Sequence, residues 1–272
     1  MPLKEMPLKA PKKVKKDGNI RVDAARKVSG KAKFIEDTEY KNLLHAATIR
    51  SSITHGRIRG FKNLEDIKKM PGVRAVVTAD DIPGDNVVPF VKEDYPCLAA
   101  GEVKFYGQAV ALVAADTLEQ AREAAAFAEL IIDEYPGIYD PIEAMEPDAV
   151  YIGGDENVHS YFKIRKGSID EGFKNADVVV ERTYHTGHQA HCYLENQGMI
   201  AEPDRFGGIS VKGSMQCPFY VHNALVKVLG TKYSKVRVIQ AETGGAFGGK
   251  EDMPSIVAAH AALLSQKTGM PV

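Results

Sequence analysis

The sequence predicts an α+β protein of two domains, and three observations carry that reading. A strand, a helix and a strand follow one another closely between 107 and 135, proline and glycine interrupt all periodicity between 136 and 160, and the second half resumes in a different order of elements. The chain has 272 residues, enough for two domains of about 100–200 residues each. With 44% hydrophobic and 26% charged residues, a packed core is expected and a chain too polar to collapse is excluded. The expected organisation is a basic flexible arm over 1–19, a first domain over 20–140, a linker over 141–160 and a second domain over 161–272.

Residues 1–19 are lysine-rich, contain three prolines and show no apolar period, so they read as a solvated or partner-bound arm. Leu43–Ile49 reads as a strand. Leu64, Ile67 and Lys68 share one side of a short helix that ends at Met70-Pro71-Gly72, and Val73–Thr78 is a β-branched run. Gly107–Ala115 is a second buried strand. In Asp116-Thr117-Leu118-Glu119-Gln120, Thr117 and Gln120 have capping-box spacing, so each side chain can satisfy an orphan backbone group at a helix start. The alanine-rich helix from Leu118 to about Glu129 then runs into a third strand, Leu130–Tyr135.

Pro136, Gly137, Pro141, Pro147, Gly153 and Gly154 mark the domain boundary. Beyond it, Val178–Tyr184 reads as a strand, followed by GHQAHCYLENQ (187–197) and Met199–Ala201. Gly207-Gly208 suits a hairpin turn into Ile209–Met215. Pro218 suits the first turn of a helix, where its missing N–H would be unpaired anyway, and the helix Phe219–Leu229 stops at Gly230. Val236–Ala241 is a strand, Gly244–Lys250 a glycine-rich loop, and Pro254–Lys267 an alanine-rich helix closed by Gly269 and Pro271. No internal repeat of solenoid period is present.

Lys and Arg number 35 against 36 Asp and Glu, a formal net charge of −1, which argues against nucleic-acid binding through a bulk positive field. No apolar run approaches the ~18–20 residues of a membrane span, and no apolar segment follows the N-terminal lysines as a secretory signal requires. The expectation is a soluble, cytoplasmic protein. The three cysteines, Cys97, Cys192 and Cys217, are far apart and form no Cys-x-x-Cys pair. Any iron–sulfur or zinc chemistry is therefore expected on another chain, and Cys192 and Cys217 read as small packed residues.

The sharpest chemical feature is TGGAFGGKE (243–251), placed after a strand and before a helix. Four glycines within six residues let the backbone take positive φ and turn several N–H groups toward one point, a concavity for a negatively charged or oxo-bearing group, to which the following helix would add its positive end. Gly244-x4-Gly249-Lys250 satisfies the GxxxxGK half of a nucleotide-binding loop, but Glu251 stands where that motif needs a hydroxyl for Mg²⁺. A dinucleotide fingerprint would need glycine at Ala246. Read alone, the loop also suits a tight strand-to-helix crossing, Gln216 a cap for the helix after Pro218, and Lys250-Glu251 a solvated pair at a helix start. His185, His188 and His191 would align on a helix as metal ligands, but their loop-like surroundings favour structural hydrogen bonds. His55, Arg50, Arg57 and Arg59 read as surface or turn groups.

The segment 213–272, with Ser214-Met215-Gln216 before a helix, Val236-Arg237-Val238, GGAFGGKE and a helix ending in Lys267-Thr268-Gly269-Met270-Pro271-Val272, resembles the molybdenum-cofactor domain of the xanthine dehydrogenase/aldehyde oxidase family. VSGKAKF (28–34) with Asp37, Arg50-Ser51-Ser52 with His55 and Arg57-Ile58, MPGV (70–73) with TADDIP (78–83), and GQAVA (107–111) resemble that family's α/β-hammerhead domain. GHQAHCYLE (187–195) resembles the segment preceding the cofactor motifs in the xanthine dehydrogenase branch. The similarity runs in consistent order from about residue 20 to the last residue, and it implies a hammerhead domain followed by an incomplete, mixed α/β molybdopterin-binding domain.

The resemblance further implies a hydroxylase that inserts a water-derived oxygen at an electron-poor carbon of a purine or other N-heterocycle, or of an aldehyde. Its cofactor would be molybdenum-molybdopterin, in a cytosine dinucleotide form if the subunits are separate, with Fe–S clusters and FAD on partner subunits. Gln216 matches the glutamine whose amide meets a molybdenum oxo ligand. Gly244, Gly245, Ala246, Phe247, Gly248 and Gly249 match the loop that approaches the metal, with Ala246 in place of a common glycine. Glu251 matches a substrate-pocket glutamate of the xanthine-type branch. The family's catalytic base, a late glutamate, is expected beyond Val272, so no catalytic residue is assigned here and the chain alone is expected to be inactive. A nucleotide-binding protein and a non-catalytic assembly module are the rival readings.

Overall fold

A computed structural model describes residues 21–90, 92–153 and 156–272. The expected arm over 1–19 and Gly154 of the linker lie outside the described residues. In chain order the described elements are α1 (Ala24–Val28), β1 (His45–Arg50), β2 (Gly56–Phe61), α2 (Leu64–Lys69), β3 (Val73–Thr78), β4 (Glu102–Val103), β5 (Ala109–Ala115), α3 (Leu118–Phe127) and β6 (Leu130–Glu134). They continue with α4 (Ile169–Lys174), β7 (Met199–Pro203), β8 (Ile209–Gly213), α5 (Pro218–Val228), β9 (Val236–Gln240) and α6 (Pro254–Thr268). None of the described helices is long and apolar enough to cross a membrane.

The first half builds two antiparallel three-stranded sheets, ordered β1-β5-β3 and β4-β2-β6. β5 is an unbroken apolar run and all seven of its residues are buried, as expected of a central strand covered on both faces. Period two divides them: Ala111 and Val113 join Ile67 of α2 and Ala124 of α3, whereas Leu112 and Ala114 join the large cluster built on α5 and α6. The capping box at the start of α3 is present. Thr117 Oγ1 accepts the Gln120 N–H at 3.2 Å and Gln120 Oε1 accepts the Thr117 N–H at 3.1 Å.

In the second half β7 pairs antiparallel with β8, which pairs parallel with β9. The turn before β8 contains Gly207 at φ 73°, α5 opens with Pro218 at its first turn and gives way to Gly230 at φ 57°, and α6 ends in left-handed Gly269 at φ 69°. Helix α6 is buried around most of its circumference, the pattern of a helix inside a core rather than on its rim. It packs against β3 and β5 on one side and β7 and β8 on the other, so the two halves share one core. The backbone ties this junction too. Leu44 N–H donates to Pro271 O, Ala201 and Val272 exchange two hydrogen bonds, and Gly84 N–H donates to Val228 O, all at 2.9–3.0 Å.

Four expectations are corrected. Gly56–Phe61 is a strand, and His55 before it is 4% exposed rather than a surface group: its Nδ1 meets Pro136 O at 2.7 Å and its Nε2 meets Glu102 at 3.0 Å. Arg50, Arg57 and Arg59 are exposed as expected. Val178–Tyr184 forms no strand; it has no ladder partner among the described residues and its valines stand exposed, and a strand without a neighbour has nowhere to place its N–H and C=O groups except water. His185 and His188 lie on that same exposed, non-helical stretch, and the expected side-chain hydrogen bonds of His185, His188 and His191 are absent among the described residues. Cys192 is exposed instead of packed, with φ 49°.

Candidate functional site

The site forms where three segments meet: the end of β8 running into Ser214-Met215-Gln216, the glycine loop after β9, and residues 191–197. The loop lies tight against the third segment. A Cβ on Gly244 would come within 2.7 Å of Glu195 Cβ, and one on Gly249 within 2.5 Å of the Tyr193 ring. Gly245 and Gly248 take φ 102° and 96°, open to glycine alone without strain. Phe247 takes φ 53° and stands 76% exposed, a conformation that costs a non-glycine residue about 1–3 kcal/mol and is found mostly where function needs it.

Gln216 faces this loop. Its Oε1 accepts the Gly248 N–H at 2.9 Å and the Lys250 N–H at 3.4 Å, and its backbone N–H donates to Lys250 O at 2.7 Å. The two N–H donors settle the amide orientation, because the reverse flip would set the NH₂ against them. Nε2 therefore points away from the loop and takes no partner among the described residues. Within the loop Gly249 N–H donates to Ala246 O and Glu251 N–H to Gly248 O, which leaves the N–H groups of Gly245, Ala246 and Phe247 without a protein acceptor among the described residues. A neutral amide donor and a run of free backbone donors thus border one exposed phenylalanine.

Lys250 behaves differently from the expected solvated residue. Its side chain is completely buried, donates to Glu195 and to Ser214 Oγ at 2.9 Å each, and has its Nζ 4.8 Å from the centre of the Tyr193 ring. It turns inward, so it is not presented to a phosphate in the loop, and the nucleotide-binding reading loses its lysine. The Lys250-Glu251 pair is not at a helix start either: α6 begins at Pro254, so the loop does not open directly onto that helix. Burial pushes the Glu195 carboxyl upward, but hydrogen bonds from Ser214, Lys250 and the Gly244 N–H outweigh it and hold its pKa below the ordinary value. Glu251 is half-buried beside Cys217, whose thiol is pushed up by desolvation and by the charges of Glu251 and Asp252.

The structure thus brings together Gln216, the loop 244–249 and Glu251, as the motifs suggested. Glu195, Ser214 and Gln197, which donates to Tyr193 Oη and to Gly249 O at 3.0 and 3.1 Å, were not singled out. The available signal is an acid and two amides in an otherwise uncharged run, HCYLENQ. No group of three or more metal-ligating His, Cys, Asp or Glu side chains occurs among the described residues.

One sheet of the first half shares a core with the domain that carries the glycine-loop site, and the comparisons assign both parts to known domain classes. Residues 29–135 match the aldehyde oxidase and xanthine dehydrogenase a/b hammerhead domain, and residues 152–272 match the molybdopterin cofactor-binding domain. The chain belongs to the aldehyde oxidase and xanthine dehydrogenase family. It is 38% identical over 253 residues to the large molybdopterin subunit of nicotinate dehydrogenase from Eubacterium barkeri, covering 93% of this chain and 59% of that one. It is 32% identical over 259 residues to a probable xanthine dehydrogenase subunit from Bacillus subtilis, covering 95% of this chain and 34% of that one. Among solved structures, the aldehyde oxidoreductase from Desulfovibrio gigas superposes with TM-score 0.82 at 26% identity, over 93% of this chain and 29% of the other. The chain therefore spans three-fifths or less of these relatives' length.

Proposed function

We propose that this chain forms one wall of the molybdenum-cofactor site in a hydroxylase that acts on an electron-poor carbon, with an N-heterocycle favoured over a simple aldehyde. The observation that carries the reading is the Gln216 amide, with its carbonyl spent on the loop and its Nε2 free. The residues fit the group: neutral donors that cannot protonate an oxo oxygen, backbone N–H groups in series, and no competing cation in the loop because Lys250 is turned inward. When bound, molybdenum-molybdopterin supplies a two-electron acceptor and the site of water-derived oxygen transfer.

This chain's own part is to hold and orient. Gln216 Nε2 stabilises negative charge developing on an oxygen without giving up a proton. The N–H groups of Gly245, Ala246 and Phe247, which meet no acceptor among the described residues, are available as further donors to the group. Glu251 accepts an N–H of a ring substrate, which favours a purine or related N-heterocycle, in keeping with relatives named for nicotinate and xanthine. Turnover belongs to the assembled enzyme, with electrons passing to iron–sulfur and flavin partners in the cytoplasm and the pterin in its cytosine dinucleotide form.

Molybdenum and pterin analysis of the purified complex tests this. Gly248→Val, which places a branched side chain at φ 96°, is expected to strip both from the complex; full retention would remove the loop from the cofactor site. Glu251→Gln is expected to lower kcat/KM for purines about tenfold or more while sparing simple aldehydes, as loss of one charge-assisted hydrogen bond requires. Equal effects on both would remove the N-heterocycle preference.

A further inference from the structure

A fully buried lysine needs a reason, since the effective penalty for desolvating each ion of a buried pair is several kcal/mol. Here a single carboxylate oxygen, Glu195 Oε2, accepts three donors: the Gly244 N–H at 2.7 Å, Lys250 Nζ at 2.9 Å and the Ser214 hydroxyl at 2.6 Å. Gly244 opens the glycine loop and Lys250 closes it, so one oxygen clamps both ends. Lys250 Nζ also donates to Ser214 Oγ at 2.9 Å, and Ser214 lies two residues before Gln216 on the same chain segment. The Lys250 backbone in turn holds Gln216 from both sides, accepting its N–H and donating to its Oε1.

We propose that Glu195 and Lys250 are positioning residues for Gln216: their buried ion pair closes the loop so that Gly248 and Lys250 present two N–H groups to Oε1 and thereby fix the free NH₂ outward. The consequence extends to the whole loop. Phe247 is strained and exposed, and a strained segment stays in place only where its surroundings over-determine it. The pair supplies that constraint from a position where it touches neither cofactor nor substrate. The inference rests on the reading of Gln216 as a donor toward the cofactor.

The test uses the assembled complex and separates positioning from folding. Glu195→Gln with Lys250→Met removes both charges together, and exchanging a buried pair for uncharged groups of similar size often leaves stability near wild type. Expected for this double variant are a near-wild-type melting temperature and full molybdenum and pterin content, with kcat lowered about tenfold or more and KM little changed. Amide hydrogen exchange in the peptide containing Gly248 and Lys250 should quicken about tenfold. Recovery of kcat and of exchange protection along with the melting temperature would overturn the proposal. Ser214→Ala leaves both charges in place but removes one contact from each partner, the donor to Glu195 Oε2 and the acceptor of Lys250 Nζ, and so loosens the pair. It should speed exchange and lower kcat by about threefold, and unchanged values would overturn the proposal even if the double variant does not fold. Gln216→Ala run in parallel separates the two readings: wild-type turnover there sinks the cofactor reading, whereas slow turnover there with fast turnover in the pair variants sinks the positioning role alone.

Discussion

Val73–Thr78 and Val178–Tyr184 are both short β-branched runs, and the molecule treats them in opposite ways. The first is β3, paired to β5 and backed by α2 and α6, with Val76 and Val77 5% and 1% exposed. The second has no neighbour among the described residues, and Val178, Val179 and Val180 are 60–77% exposed. Side-chain branching states what a segment needs, a half-buried pleated surface, and only a partner strand can meet that need. The difference lies in what surrounds each run, not in its residues.

Substitutions on either side test this contrast. The largest effect is expected at the strand that makes β3 possible: Leu112→Ala in β5, at a side chain 1% exposed, should cost about 2–5 kcal/mol through lost burial and the cavity left behind. Urea unfolding measures it, and a loss under about 1 kcal/mol would show a core looser than the burial implies.

His260 on α6, against the same wall, gives the next effect. It is buried, its Nε2–H donates to Cys97 O at 3.0 Å, and burial, with a smaller push from the Arg50 charge, lowers its pKa to about 4. A folded pKa below the unfolded ~6.5 means the contribution is complete above pH 6.5 and is lost as pH falls toward 4, amounting to about 3 kcal/mol. His260→Gln should flatten the stability-against-pH curve between pH 6.5 and 4; an unchanged slope would place the titration elsewhere. Smallest of all, Val179→Ala should alter stability by less than about 0.5 kcal/mol, and a core-sized loss would mean that this run is covered after all.

These contrasts also explain what could be read from the residues alone. The capping box at Thr117, the buried run of β5, the proline at the start of α5 and the left-handed glycine after α6 are local signals, and each element formed within a residue or two of its expected span. β2 carries no strand signal of its own, because GRIRGF begins with glycine and places Arg57 and Arg59 on its open face. The burial of His55 cannot be read locally because its partners, Pro136 and Glu102, lie 81 and 47 residues away. At the site, Gln216 and the loop are legible because each stands in a short motif of its own, SMQ before α5 and GGAFGG after β9, and the fold brings the two motifs into contact. Lys250 is not: a lysine after a glycine loop looks solvated until Glu195, 55 residues earlier, is seen to meet it.

The role proposed for Gln216 is to turn a free amide donor toward a molybdenum cofactor. Molybdenum content and turnover, measured together in the assembled complex carrying Gln216→Ala, decide it. Expected are molybdenum close to the wild-type level and turnover lower by about a hundredfold or more, the scale of a lost preorganised donor. Wild-type turnover with molybdenum in place would contradict it.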